Sequence, residues 1–204
     1  TERHPRAAAH PFALNRARNK AGARHGLLHP AAKPLLLAAG LLPLGWLLFG
    51  LFGNRLGANP AEALQHATGI WALRWLCLTL AITPLRVRTR TPQLARFRRM
   101  LGLLAFCYAC LHLLTYLWFD MWFAWVEIAA DIAQRPFILV GFATWLCLLP
   151  LALTSTNRMI KRLGARRWRR LHRLVYAAAV LALLHFFWMR AGKHNYAEVW
   201  LYTA

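Results

Sequence analysis

RRLHRLVYAAAVLALLHFFW, residues 169–188, is an apolar run of membrane-crossing length, entered through arginines and carrying a histidine near each end, His172 and His185. A hydrocarbon core of about 30 Å needs about 20 residues of helix, and an ionisable side chain at that depth is costly enough to mark function. LLAFCYACLHLLTYLWF, residues 103–119, has the same build with one histidine, His112. Apolar stretches of comparable length cover 34–52, 66–84, 101–119, 137–154 and 171–189, and a shorter one occupies 197–204. These lengths predict an all-α integral membrane protein: a bundle of five complete transmembrane helices plus a short sixth, with residues 1–33 as a basic tail and 34–204 as the membrane domain.

The chain of 204 residues is 59% hydrophobic yet carries a formal charge of +20, from 26 Lys and Arg against 6 Asp and Glu. A nucleic-acid binder would spread such charge over a solvated face without uninterrupted apolar blocks, so that class is excluded. The cations mark topology instead. Seven lie in the tail through Lys33, six between Arg86 and Arg99 and eight between Arg158 and Arg173, whereas the opposite segments hold Arg55, Arg135, Arg190 and Lys193. Five of the six acids, Glu62, Asp120, Glu127, Asp131 and Glu198, share that second side. The N-terminus is therefore expected in the cytoplasm, with anionic lipid headgroups as counter-charge.

The first 33 residues are rich in Arg and Ala without an apolar core ending in a cleavage site, which reads as a cytoplasmic tail and not a signal peptide. His4, His10, His25 and His29 within it read as solvated, with His25 and His29 close enough to the first span to reach the cytoplasmic headgroup level. Neither a Walker nor a Rossmann glycine pattern occurs, so nucleotide chemistry would have to come from a partner. Between the third and fourth spans, residues 116–134 carry Trp118, Trp122 and Trp125 near helical spacing among Asp120, Glu127 and Asp131. That pattern suits an amphipathic helix in the headgroup zone, an anchor first and a partner surface second.

The third and fifth spans both start at a basic cluster, so both run outward. His112 lies 13 residues past Arg99 and His185 15 past Arg170, which at about 1.5 Å per residue sets both imidazoles about 20 Å from the cytoplasmic edge. Two parallel helices with one histidine each at matching depth form a bis-histidine haem clamp, since imidazole is a standard axial ligand of haem iron. Along the same faces lie Ala109, Ala105 and Gly102 below His112, and Ala182 and Ala178 below His185. Such small residues suit a slot for a flat macrocycle, or close helix packing. His172 stands 13 residues before His185, about 140° round a straight helix, and the position opposite it on the third span holds Arg98. It reads either as ligand of a second haem or as a solvated or propionate-binding histidine. His66 opens the second span at its outer end and reads as a propionate contact, a partner contact or a satisfied interfacial histidine; Arg74, two turns deeper on the same face, is expected to reach a haem propionate or to snorkel to the headgroups. Cys77, Cys107, Cys110 and Cys147 all fall inside spans as small buried residues. CYACLH at 107–112 has one residue too many for covalent haem attachment.

The strings NPAEALQHATGIWALRWLCLTLAITPLR, RRMLGLLAFCYACLH, RPFILVGFATWLCLLPLALTST and RRLGARRWRRLHRLVYAAAVLALLH resemble the MsrQ (formerly YedZ) family of the ferric-reductase-like transmembrane superfamily, over about residues 35–190. The resemblance implies a b-type cytochrome of the bacterial inner membrane, with haem b (one or two) and an association with FMN. It further implies electron transfer from the quinone pool or a cytoplasmic flavin reductase to MsrP, a periplasmic molybdopterin enzyme that repairs methionine sulfoxide in oxidised proteins. His112, His172 and His185 match the family's haem-linked histidines, and His66 falls in its QH-x-TG motif. Two other functions fit the residues: a self-sufficient ferric or quinone reductase, and a non-redox transporter using intramembrane histidines.

Overall fold

The computed structural model describes residues 29–191. All regular elements among them are helical: α1 (Ala32–Phe52), α2 (Pro60–Thr89), α3 (Ala95–Thr115), α4 (Trp125–Gln134), α5 (Pro136–Leu153), α6 (Asn157–Leu163), α7 (Ala165–Leu171) and α8 (Leu174–Ala191). A 3-10 turn, Pro92–Leu94, leads into α3, and a π-helical turn, Tyr116–Asp120, continues it. Among the described residues, five segments are long and apolar enough to cross a membrane: Ala32–Phe52, Pro60–Thr89, Pro92–Asp120, Pro136–Leu153 and Ala165–Arg190. The five expected spans are thus present. The expected sixth, 197–204, and the tail before His29 lie outside the described residues.

Local chemistry sets the helix ends. Asn59 caps α2 by accepting from the Glu62 N–H at 3.2 Å, with Pro60 in the first turn, where a missing N–H costs nothing. Arg86 and Arg88 sit in its last turn beside the carbonyl end of the dipole. Thr156 caps α6 through the Met159 N–H, and Gly164, at φ +75°, makes the corner into α7.

α2 packs along α3, α5 packs along α8, and α3 against α5 joins the two pairs. The core lies toward the Arg-rich ends of the spans, where Trp75, Leu76, Phe97, Leu101, Leu104, Tyr108, Leu148 and Val175 cluster. Outward faces are apolar as well: Trp46 is 71% exposed, Val180 66% and Leu153 64%. Apolar surface on that scale needs a lipid cover. α1 is held to the bundle beside Pro43, which lies inside the helix. There the buried Tyr108 hydroxyl accepts from the Leu44 N–H (3.1 Å) and donates to the Gly40 carbonyl (2.9 Å), occupying two backbone groups of the turn that proline disturbs.

The expected amphipathic helix over 116–134 is shorter than its pattern suggested. Trp122 and Phe123 take left-handed φ values of 46° and 57°, which breaks the segment, and only Trp125–Gln134 is α-helical. Trp118, Trp122 and Trp125 are all exposed, consistent with an aromatic anchor.

Candidate functional site

Beyond the core, the same helices enclose a cavity of about 530 Å³. His112 of α3 and His185 of α8 both line it, with ring centroids 6.1 Å apart and planes inclined by 69°. His112 Nδ1 lies 2.9 Å from the Gln65 carbonyl on α2, and His185 Nδ1 lies 2.7 Å from the Phe137 carbonyl on α5. A carbonyl only accepts, so each Nδ1 carries the proton and donates it, and each Nε2 keeps its lone pair for a metal.

The spacing suits one metal between the rings. An imidazole nitrogen binds a first-row metal at about 2 Å, and adding the nitrogen-to-centroid distance on both sides gives centroids about 6 Å apart. Among the described residues no group of three or more His, Cys, Asp or Glu could hold a free metal ion. Haem iron arrives with four porphyrin nitrogens and needs only two axial ligands. Ile70, Leu73, Phe142, Trp145, Ala109 and Ala182 supply a largely apolar wall, the environment a macrocycle requires.

The small-residue positions divide by depth. Ala109 and Ala182 line the cavity, whereas Ala105 and Ala178 are wholly buried in the core and Gly102, off the cavity wall, faces Thr79 of α2. Slot and close packing are both realised, one helical turn apart.

The cavity mouth is polar. Tyr116 Oη donates to Asp131 Oδ2 (2.8 Å), and Arg135 Nε pairs with Asp131 Oδ1 (2.8 Å). Asp120, His66 and Arg190 share this rim, with His66 Nε2 4.0 Å from Glu62 Oε1. His66 thus lines the same cavity as His112 and His185.

Arg74 does not join them. It is exposed and lies over the Trp71 ring at 4.8 Å, off the cavity wall. The eight residues from His66 make two turns plus about 80°, so its direction misses the expected propionate contact, and it stands five residues past Gly69, the α2 position beside His112. Among the described residues, the Lys and Arg side chains that line the cavity are Arg135 and Arg190, which the sequence marked only as outer-side charges.

His172 also stands apart. It closes α7 at a break before α8, stacked on Trp168 with centroids 3.8 Å apart, its Nδ1 3.1 Å from the Trp168 carbonyl and its Nε2 buried. Trp168 is itself anchored by donating Nε1–H to the Thr154 carbonyl at 2.9 Å. The break removes the 140° objection derived for a straight helix, yet the charged neighbours here are Arg98 and Arg99.

Residues 68–183 match the family described as ferric reductase like transmembrane component. A protein-methionine-sulfoxide reductase heme-binding subunit MsrQ from Polaromonas naphthalenivorans (strain CJ2) is 62% identical over 184 residues, covering 90% of this chain and 84% of its own length. Its namesake from Herminiimonas arsenicoxydans is 54% identical over 166 residues, covering 81% and 76% respectively. The chain belongs to the MsrQ family. A third MsrQ protein, from Ralstonia nicotianae (strain ATCC BAA-1114 / GMI1000), is 53% identical over 151 residues, covering 74% of this chain and 70% of its own. No solved structure matches. Membership in a transmembrane family, together with five apolar helices of spanning length, makes this MsrQ-family chain a multi-pass membrane protein.

Proposed function

We propose that this protein is the haem-binding membrane subunit of a protein-methionine-sulfoxide reductase system, a b-type cytochrome passing electrons across the bacterial inner membrane to the periplasmic enzyme MsrP. The observation that carries the reading is the facing pair His112 and His185, each with its Nδ1 proton held by a backbone carbonyl of a neighbouring helix. The names of the relatives add haem binding and the sulfoxide reductase partnership. Haem, when bound, supplies a one-electron iron couple.

The chain's own residues do the rest. His112 and His185 would ligate the iron through Nε2, the carbonyls of Gln65 and Phe137 fixing the tautomer and making each imidazole a better donor. Trp145, Phe142 and Leu73 keep water from the buried faces of the cavity. Arg135, Arg190 and His66 at the mouth offer donors to the propionate carboxylates. His172, backed by Trp168 beside Arg98 and Arg99, belongs to the other end of the bundle, where the basic segments would receive a quinol or a flavin donor, FMN included. The charge asymmetry supports a cytoplasmic N-terminus, with residues 1–33 as a basic cytoplasmic tail and MsrP approaching from the rim of Asp120, Asp131 and the tryptophans.

The test is spectroscopic. Purified protein should show a reducible b-type spectrum by pyridine haemochrome, and His112→Ala and His185→Ala should remove the same haem. Mixing the reduced protein with MsrP and a methionine sulfoxide substrate should reoxidise it. A purified chain that takes up no haem sinks the cytochrome reading, and reoxidation by ferric chelates alone favours a self-sufficient reductase.

A further inference from the structure

Both histidine contacts are built in the same way. His112 reaches the carbonyl of Gln65, and four residues on, α2 has Gly69; His185 reaches the carbonyl of Phe137, and four residues on, α5 has Gly141. A Cβ at Gly69 would stand 3.0 Å from His112 Cε1 and 3.1 Å from its Nδ1. One at Gly141 would stand 2.8 Å from His185 Cε1 and 2.9 Å from its Nδ1. The geometry has a simple cause. In a helix the Cα–Cβ bond leans toward the N-terminus, so the side chain at i+4 covers the turn containing the carbonyl of residue i. Glycine there leaves that carbonyl open to a second donor from a neighbouring helix.

We infer that Gly69 and Gly141 are matched positioning residues, each uncovering a backbone carbonyl so that the imidazole on the adjacent helix docks Nδ1–H first and turns Nε2 toward the cavity. The device occurs once in the α2 and α3 pair and once in the α5 and α8 pair, so the two halves of the clasp are built alike from unrelated sequences, QHATG and FILVG. It rests on the reading of His112 and His185 as haem ligands and assigns what holds them. A methyl group at either glycine would push the ring off its carbonyl, tilting Nε2 and releasing the Nδ1 proton from its acceptor.

Gly69→Ala and Gly141→Ala, purified with haem, test this against two helical controls. Gly102 would place its Cβ at an ordinary 3.6 Å from Thr79 Cγ2, and Gly45 meets nothing within 4 Å. Gly141→Ala should weaken haem retention about tenfold, the low end for losing a group that orients a metal ligand, and convert part of the low-spin ferric signal to high spin. Gly69→Ala should do the same to a smaller degree, its contact being looser, while Gly102→Ala and Gly45→Ala keep the parental haem content, spin state and midpoint potential. Full haem with the parental spin state and potential in both Gly69→Ala and Gly141→Ala overturns the inference. If Gly141→Ala is not recovered from membranes, Gly69→Ala decides alone. Should His112→Ala and His185→Ala retain the same haem, the ligand assignment fails instead. If those two lose it while both glycine variants stay unchanged, the glycine inference fails by itself.

Discussion

The two ends of the bundle use the same helices to opposite effect. Toward the Arg-rich end, α2, α3, α5 and α8 pack on Trp75, Leu76, Ala105, Leu148 and Ala178, which form one buried cluster. One turn farther along α3 and α8, Ala109 and Ala182 face open volume. Small residues at helical spacing therefore do not by themselves make a slot. Where the opposing helix offers an uncovered carbonyl, the histidine leans across and space is left beside it. The histidines follow the same division. His112 and His185 hand their Nδ1 protons to other helices, while His172 has its Nδ1 beside a carbonyl of its own segment and lies flat on Trp168.

The largest effect should come from removing one member of the clasp. His185→Gly should lose the low-spin haem, and millimolar imidazole added to the purified variant should restore it, because the cavity would still hold the free ligand. His172→Gly should keep that haem with and without imidazole. Loss of the same absorption in His172→Gly would erase the contrast between the two ends.

Much of this contrast was legible in the chain. Five spans followed from apolar length, and the matching depth of His112 and His185 followed from a fixed rise per residue measured from two basic clusters. Direction around the helix axis was less legible, because a small error in residue count per turn moves a side chain to another neighbour, as with Arg74. The acceptors for the two imidazoles were invisible, since they are backbone carbonyls and every residue has one. Gly69 and Gly141 looked no different from Gly45, which has nothing within 4 Å; only the assembled helices show what a Cβ would meet. The break at Trp122 and Phe123 was hidden for another reason: aromatic residues rarely adopt the left-handed region, so tryptophans near helical spacing read as one continuous helix.

An intermediate effect is expected from Tyr108→Phe, which alters the packed end without touching the clasp. The hydroxyl ties α1 to α3 through Leu44 and Gly40, and in an apolar interior its loss should cost about 1–3 kcal/mol. Thermal unfolding in detergent should show a lower midpoint, while the haem spectrum stays that of the parent. A changed spectrum would mean that the two ends are coupled through α3, one turn below His112.

The smallest effect should come from Tyr116→Phe at the cavity mouth. The variant loses one hydrogen bond to Asp131, but Asp131 keeps its 2.8 Å contact with Arg135, so the carboxylate is not stranded and the cost should be about 1 kcal/mol or less. Haem content should be unchanged if the cavity is held open by the two histidine contacts on its walls. Measuring haem per protein in Tyr116→Phe beside Gly141→Ala therefore asks which structure keeps the space. A large loss in the tyrosine variant and none in the glycine variant would move the support from the helix walls to the rim.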